Sequence, residues 1–411
     1  MSDHEFRGFD VDTISEAVRQ PPLDDLWSAV RARRRRRTGG VALALVLVFA
    51  GMATLPLASG THGVDWSDPT PAPSQQEHAA HLFMTGPESG VGVADHGCAL
   101  YFTHTSDSGR TWSDWAAGRY RSAACPPGAT DPVGYHVEFS VLGERSYLVQ
   151  DGDLFRLSTD HGRTWQDAGK AIVPVPAFPA NSQVAFCQGC GAMKQVLAVD
   201  PSTGTVYRLS GEPPSPYPPF SVYPSADGTI WATHWPGDPN VMVVARSVDR
   251  GATWNTWRPA KDTNVIAVVG VSVTEAYLLI EPPPPPGAQP MEVEGPSQLL
   301  HTTDGGATWT DVGTDLPAAP FHRSITLGAD GSLLVPEDGH MRPDAISFLR
   351  VSRDGGRHFV TEREYDRKDG GVGVAPGYAW LYGRDDMSAV GADHVLLTRD
   401  GVSWTRFALP G

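Results

Sequence analysis

Six copies of one short phrase run through the chain: Ser or Thr, any residue, Asp, one or two loop residues with Gly, then an aromatic. They begin at Thr105 (TSDSGRTW), Ser158 (STDHGRTW), Ser247 (SVDRGATW), Thr302 (TTDGGATW), Ser352 (SRDGGRHF) and Thr398 (TRDGVSW). A phrase that returns at a near-constant period marks a repeat architecture. Its composition is that of a β-hairpin turn. The Asp carboxylate accepts from turn N–H groups that have no ladder partner. Gly supplies the positive φ of a tight turn. The aromatic opens the returning strand and covers the turn. A strand-like run precedes each copy (ALYFTHT, DLFRLST, VMVVARS, QLLHTT, ISFLRVS, HVLLT). Each copy therefore reads as strand, turn, strand, or half of a four-stranded sheet.

These residues resemble the Asp-box (BNR) repeat family. The match is full in Thr105–Trp112, Ser158–Trp165, Ser247–Trp254 and Thr302–Trp309. At the fifth copy His358 and Phe359 stand in for Thr and Trp, and the sixth, Thr398–Trp404, is one residue short. The resemblance implies a β-propeller with the box at an outer hairpin of each blade. It implies a structural role for Asp107, Asp160, Asp249, Asp304, Asp354 and Asp400. The family holds sialidases, xyloglucanases, sortilin-type receptors and photosystem assembly factors, so it fixes little of the function.

The box aspartates are 53, 89, 55, 50 and 46 residues apart. The long interval has room for a unit without a box. VLAVDPSTGTVYRLSG (196–211) fits it, with two β-rich runs about a turn at Asp200. The expected fold is all-β: a seven-bladed propeller of four-stranded antiparallel blades over residues 79–411, with six or eight blades as the alternatives. Pro-rich segments, EPPPPPGAQPMEVEGP (281–296) and GEPPSPYPPF (211–220), read as stiff loops because Pro cannot donate to a ladder.

Residues 39–58 carry no charge over about twenty positions, enough for a helix to cross a bilayer. The Arg run 31–37 precedes them, and Asp65 and Asp68 follow. The positive-inside rule then places residues 1–38 in the cytoplasm and the propeller outside, on one transmembrane helix. A cleaved signal peptide is the competing reading. Leu23, Leu26, Trp27 and Val30 mark one face of a short helix before the Arg cluster, suited to an anionic inner leaflet. Residues 59–78 form a Pro-containing stalk. The expected localisation is therefore a single-pass membrane protein, with lipid as one partner.

Of the chain's 32 basic and 47 acidic residues, 8 and 7 fall in the first forty positions, which leaves 24 and 40 beyond them. An ectodomain this acidic repels phosphate backbones and argues against nucleic acid as a partner. Cys98, Cys125, Cys187 and Cys190 are read as disulfide cysteines, Cys98 with Cys125 and Cys187 with Cys190 closing a small loop. Zinc or redox chemistry at CxxC is the alternative.

Two functions fit. The first is a binding module taking a glycan, peptide or protein partner as a receptor, scaffold or assembly factor. Trp115, Trp231, Trp235, Trp257 and Trp380 are available for stacking or for packing between blades. The alternative is an exo-sialidase-like glycoside hydrolase with its site in the central funnel. Sialidases resemble one another in an Arg-Ile-Pro motif, absent here, and Arg110, Arg119 and Arg121 lie outside such a context. Tyr382, Arg384 and Asp385, beside Asp386, form one Tyr/Arg/acid cluster and are the candidate ligand-binding residues; no catalytic residue is assigned. No cofactor and no metal are expected, since His78, His81, His96 and His104 lack a ligand spacing.

Overall fold

The computed structural model describes residues 81–125, 137–185, 195–235, 241–260, 263–281, 297–317, 324–337, 346–366, 371–383, 385 and 392–410. The N-terminal helix face, the apolar span 39–58, the stalk, Cys187, Cys190 and Pro282–Pro296 lie outside these residues. No helix among the described residues is long and apolar enough to cross a membrane.

Seven four-stranded sheets follow one another along the chain, at residues 81–121, 138–167, 173–209, 219–257, 264–311, 326–366 and 372–408. In six of them the strands lie in chain order and every neighbour is antiparallel. The edge strands Gln183–Ala185, Pro219–Pro224, Asn264–Gly270 and Thr326–Leu327 of four successive sheets touch in turn, which puts them at the centre. The second strands, such as Ile230–His234 and Ala276–Glu281, are apolar and buried almost throughout. Neighbouring sheets cover both of their faces, so the usual in-out alternation is lost.

The apolar clusters run from sheet to sheet. Phe102 of the first stacks on Tyr147 of the second at 4.6 Å. Leu157 and Leu197 join the second to the third, and Leu209 and Ile230 the third to the fourth. One large cluster holds the fourth to the sixth, and Val351 and Leu381 continue into the seventh. The last sheet meets the first through Ala408 N–H to Ser108 O (3.1 Å) and Trp112 Nε1–H to Ala408 O (3.3 Å). Phe407 and Trp112 lie edge to face there. Seven sheets in a ring closed by such contacts are the arrangement of a seven-bladed β-propeller. Across its centre the Tyr223 hydroxyl, from the fourth sheet, meets Thr326 Oγ1 of the sixth at 3.3 Å. Thr326 in turn donates to Ala375 O of the seventh at 2.8 Å.

The third sheet corrects the all-antiparallel expectation. Its order is Gln183–Ala185, Leu197–Val199, Val206–Leu209 and then Val173–Val175, and the last pair is parallel. This is the unit without a box. After Leu209 the chain enters Gly211-Glu212-Pro213-Pro214-Ser215-Pro216, which cannot turn back as a strand. The open edge is covered instead by the upstream segment 173–175, and Ser210 N–H also donates to Val175 O at 2.8 Å. The expected turn at Asp200 is present, with Ser202 N–H (2.8 Å) and Ser202 Oγ (2.6 Å) donating to its Oδ1.

Each box is a hydrogen-bonded knot. In the fourth sheet Thr253 N–H donates to Asp249 Oδ1 (2.9 Å) and the Thr253 hydroxyl to Oδ2 (2.6 Å). Ser247 Oγ donates to the same Oδ1 (2.8 Å) and accepts from Gly251 N–H (2.7 Å). Asp107, Asp160 and Asp304 repeat the pattern with Thr111, Thr164 and Thr308. At Asp354 the His358 Nδ1 replaces the hydroxyl at 2.6 Å, and at Asp400 the Ser403 N–H takes the amide role at 2.7 Å. The initial Ser or Thr and the Thr before the aromatic are thus as much a part of the knot as the Asp.

Asp249→Ala is expected to lower stability by about 1 kcal/mol, since water replaces part of what the solvent-facing amides lose. Urea unfolding measures it. Acid should act in the same sense. The hydroxyl and then the amide of Thr111 pull Asp107 down to about 2, and those of Thr308 do the same for Asp304. A carboxylate held below its unfolded value stabilises the fold above roughly pH 4. That contribution fades as pH falls towards 2. A urea midpoint that stays flat from pH 5 to 2.5 contradicts the knot.

Cys98 and Cys125 are joined in a disulfide across 27 residues. It ties the turn before the third strand of the first sheet to the end of the fourth. Closing a loop of that length contributes about 3.5 kcal/mol through the unfolded chain.

Candidate functional site

The strongest candidate is a cleft of about 250 Å³ between the fourth and fifth sheets. One wall is the pair of outer strands Val243–Ser247 and Asn255–Trp257. The other is the box turn Asp304–Trp309. Trp231 forms the floor at 1% exposure, edge-on to Trp309 with centroids 6.1 Å apart. Trp257 tilts against Trp309 at 5.5 Å. The Arg246 guanidinium lies 5.8 Å over Trp231 and is fixed by Nη1–H to Val273 O at 2.7 Å. Its Nε is buried without a hydrogen-bond partner. Asn255 and Thr256 are exposed at the rim.

The local sequence explains this placement. Trp309 is the box aromatic, and its Nε1–H closes onto Gly306 O (3.2 Å), which holds its ring across the turn. Gly305 stands where a Cβ would fall 1.4 Å from Arg246 Nη1, so glycine leaves the guanidinium its place. The two partly exposed indoles, Trp257 and Trp309, with a cation behind them and the Asn255 amide at the rim, can hold one flat or puckered ring by stacking and hydrogen bonds. The volume lies below the ~300–1,000 Å³ of drug-sized pockets and suits one sugar ring or one or two side chains. Asp304 is the one carboxylate among the described lining residues. Its oxygens already accept from Thr302, Thr308 N–H and the Thr308 hydroxyl.

Of the other expected residues, Tyr382 and Asp385 are described. Arg384 and Asp386 lie outside the described residues. Tyr382 sits in the strand Tyr378–Gly383, where its N–H donates to Gly371 O at 3.2 Å. Asp385 is brought together with Asp393, His394 and Arg406, none of which the sequence reading singled out. Arg406 Nη1 meets Asp385 Oδ2 at 2.6 Å and Arg406 Nη2 reaches Asp393 Oδ1 at 3.5 Å, while His394 pairs with Asp393. The Arg406 pairs with Asp385 and Asp393 lie at the surface and carry small energetic weight, while His394 is buried beneath them.

Among the tryptophans, Trp235 is 48% exposed and packs edge-on to Phe220 at 4.6 Å. Trp115 packs on the first sheet, and Trp380 lies close to Gly373. Arg246 was missed by the sequence reading, though a signal existed. Aligning the copies one residue before the box gives His104, Leu157, Arg246, His301, Val351 and Leu397, a column in which three members are polar and Arg246 is the one permanent cation.

No family model and no curated protein matches the chain. Solved structures resemble it in fold. YCF48 from Cyanidioschyzon merolae is 15% identical with a TM-score of 0.41, over 79% of this chain and 96% of that one. The propeller domain of the Trilobed protease from Pyrococcus furiosus is 11% identical with a TM-score of 0.40, over 66% and 85%. The Hadza microbial sialidase Hz136 is 18% identical with a TM-score of 0.32, over 56% and 55%.

Proposed function

We propose that the chain is an Asp-box-type propeller that works by binding and not by hydrolysis, with a glycan as ligand in the tryptophan cleft. The observation that carries the reading is the cleft itself: stacking surface, a fixed guanidinium, and one carboxylate whose oxygens are already engaged. Hydrolysis of a glycosidic bond calls for two carboxyl groups flanking the bond or, in sialidases, a tyrosine nucleophile with an acid, and the described lining of the cleft offers neither set. Asp304, drawn down to about 2 by the Thr308 hydroxyl and amide, carries no proton to donate at neutral pH. At the centre of the ring the buried Tyr223 hydroxyl is tied to Thr326 and Leu327, and this gives a funnel-based sialidase site less support. The apolar span 39–58 with its Arg run supports display of the propeller outside a membrane on a single helix, as a receptor or scaffold.

A glycan array followed by titration of the purified full chain tests this. Trp257→Ala should weaken a glycan hit roughly tenfold, the equivalent of about 1.4 kcal/mol of lost stacking. An unchanged affinity would move the site elsewhere. Turnover of a fluorogenic sialoside would overturn the reading, and a peptide hit that Trp257→Ala abolishes would replace the glycan.

A further inference from the structure

A second constellation lies where the first and second sheets meet. His104 is the next-to-last residue of the third strand of the first sheet, Glu144 sits in the turn between the first two strands of the second, and His161 follows the box aspartate of the second. One donor atom from each falls within 4.8 Å of the other two. The imidazoles are stacked with centroids 4.1 Å apart.

We propose that His104, His161 and Glu144 bind one divalent transition-metal ion of the zinc, nickel, cobalt or copper class and so tie the first two sheets together. The donor set argues for the class. Two imidazoles and a carboxylate suit these ions, whereas calcium and magnesium take oxygen. Three protein ligands also leave a coordination position for water.

The surroundings hold each imidazole by its Nδ1, and binding one ion requires one ring to turn out of the stack so that the two lone pairs converge. His104 Nδ1 is bonded to Ser113 Oγ at 2.9 Å, and His161 Nδ1 meets the backbone Glu144 O at 3.2 Å. A carbonyl can only accept, so His161 carries its proton on Nδ1 and turns the Nε2 lone pair outward. Ser113 Oγ also accepts from His104 N–H at 3.0 Å, which fixes it beside the ring.

His161 also stands at φ +64°, in the left-handed region. The same place in other copies holds Ser108, Arg250, Gly305 and Gly355, all at positive φ. Nothing in the turn calls for an imidazole there, so its presence against His104 needs another reason. Arg145 and Arg163 are the nearby cations. Arg145 is turned towards Ser202 O at 2.8 Å. Both charges oppose a cation there.

The test is calorimetric titration of the full chain, carrying Cys187→Ser and Cys190→Ser, with zinc chloride alone. One-to-one binding is expected, with a Tm rise of about 4 °C at a hundredfold excess over Kd. His161→Gly should abolish both and leave the metal-free Tm unchanged or higher, because glycine accepts that φ. Ser113→Ala should weaken binding roughly tenfold. No zinc-dependent rise in Tm, or one that His161→Gly retains, overturns the assignment.

Discussion

Gly109→Ala is expected to destabilise the protein by about 3–5 kcal/mol, combining the left-handed cost of an L-residue with overpacking. Gly109 lies at φ +77° in the first box, and a Cβ there would stand 2.0 Å from Ala408 O. That carbonyl belongs to the outermost strand of the seventh sheet, so the substitution pushes apart the junction that closes the ring. First and last sheets are each built from their own residues, so no exchanged strand holds the junction when these contacts fail. Gly152→Ala is the control. Its φ is +60° with nothing within 4 Å, and the cost should stay near the conformational part, about 1–2 kcal/mol. Urea midpoints that move equally for the two variants would deny the closure.

Trp231→Ala should cost about 3–5 kcal/mol, the range for a large buried aromatic. The ring is interlocked on several sides. A Cβ on Gly270 would fall 2.2 Å from Trp231 Cδ1, so the fifth sheet closes onto the indole itself. Trp309 meets it edge-on, and Nε1–H points to Ser272 O at 3.4 Å. Removing it opens a cavity under two sheets and takes the floor from the cleft, so ligand affinity should fall with stability. Trp235→Ala, at an exposed position, should change stability by about 1 kcal/mol or less. Thermal and urea unfolding of the pair measures the contrast.

What was legible in the sequence, and what was not, follows from distance along the chain. The box is local: hydroxyl, carboxylate, glycine and the amide four residues on fall within one turn. Its spacing therefore exposed the sheets and their number, including the unit at Asp200. The parallel strand 173–175 was not legible. It is three residues long, contains Pro174, and pairs with Tyr207–Leu209 across more than thirty positions. The cleft was hidden for a related reason. Trp231, Arg246 and Trp257 come from one sheet and Trp309 from the next, and nothing local says that these faces meet. At Tyr382, Arg384 and Asp385 neighbours in the chain suggested a site, and what nothing local announced there is Arg406, two strands on, which engages the Asp385 carboxylate. His104 and His161, 57 positions apart, meet because each is held at a box and the two boxes belong to adjacent sheets.

Hydrogen exchange at the Thr308 amide tests the central account most directly. Thr308 lies on the surface, yet its N–H donates to Asp304 Oδ1 at 3.0 Å. Slow exchange is expected at pH 7 in the full chain, with free-peptide rates at that one amide in Asp304→Ala while the neighbouring strands stay protected. Free-peptide exchange at Thr308 in the unaltered protein would contradict the picture of repeated aspartates fastening the outer turns of a ring of seven sheets.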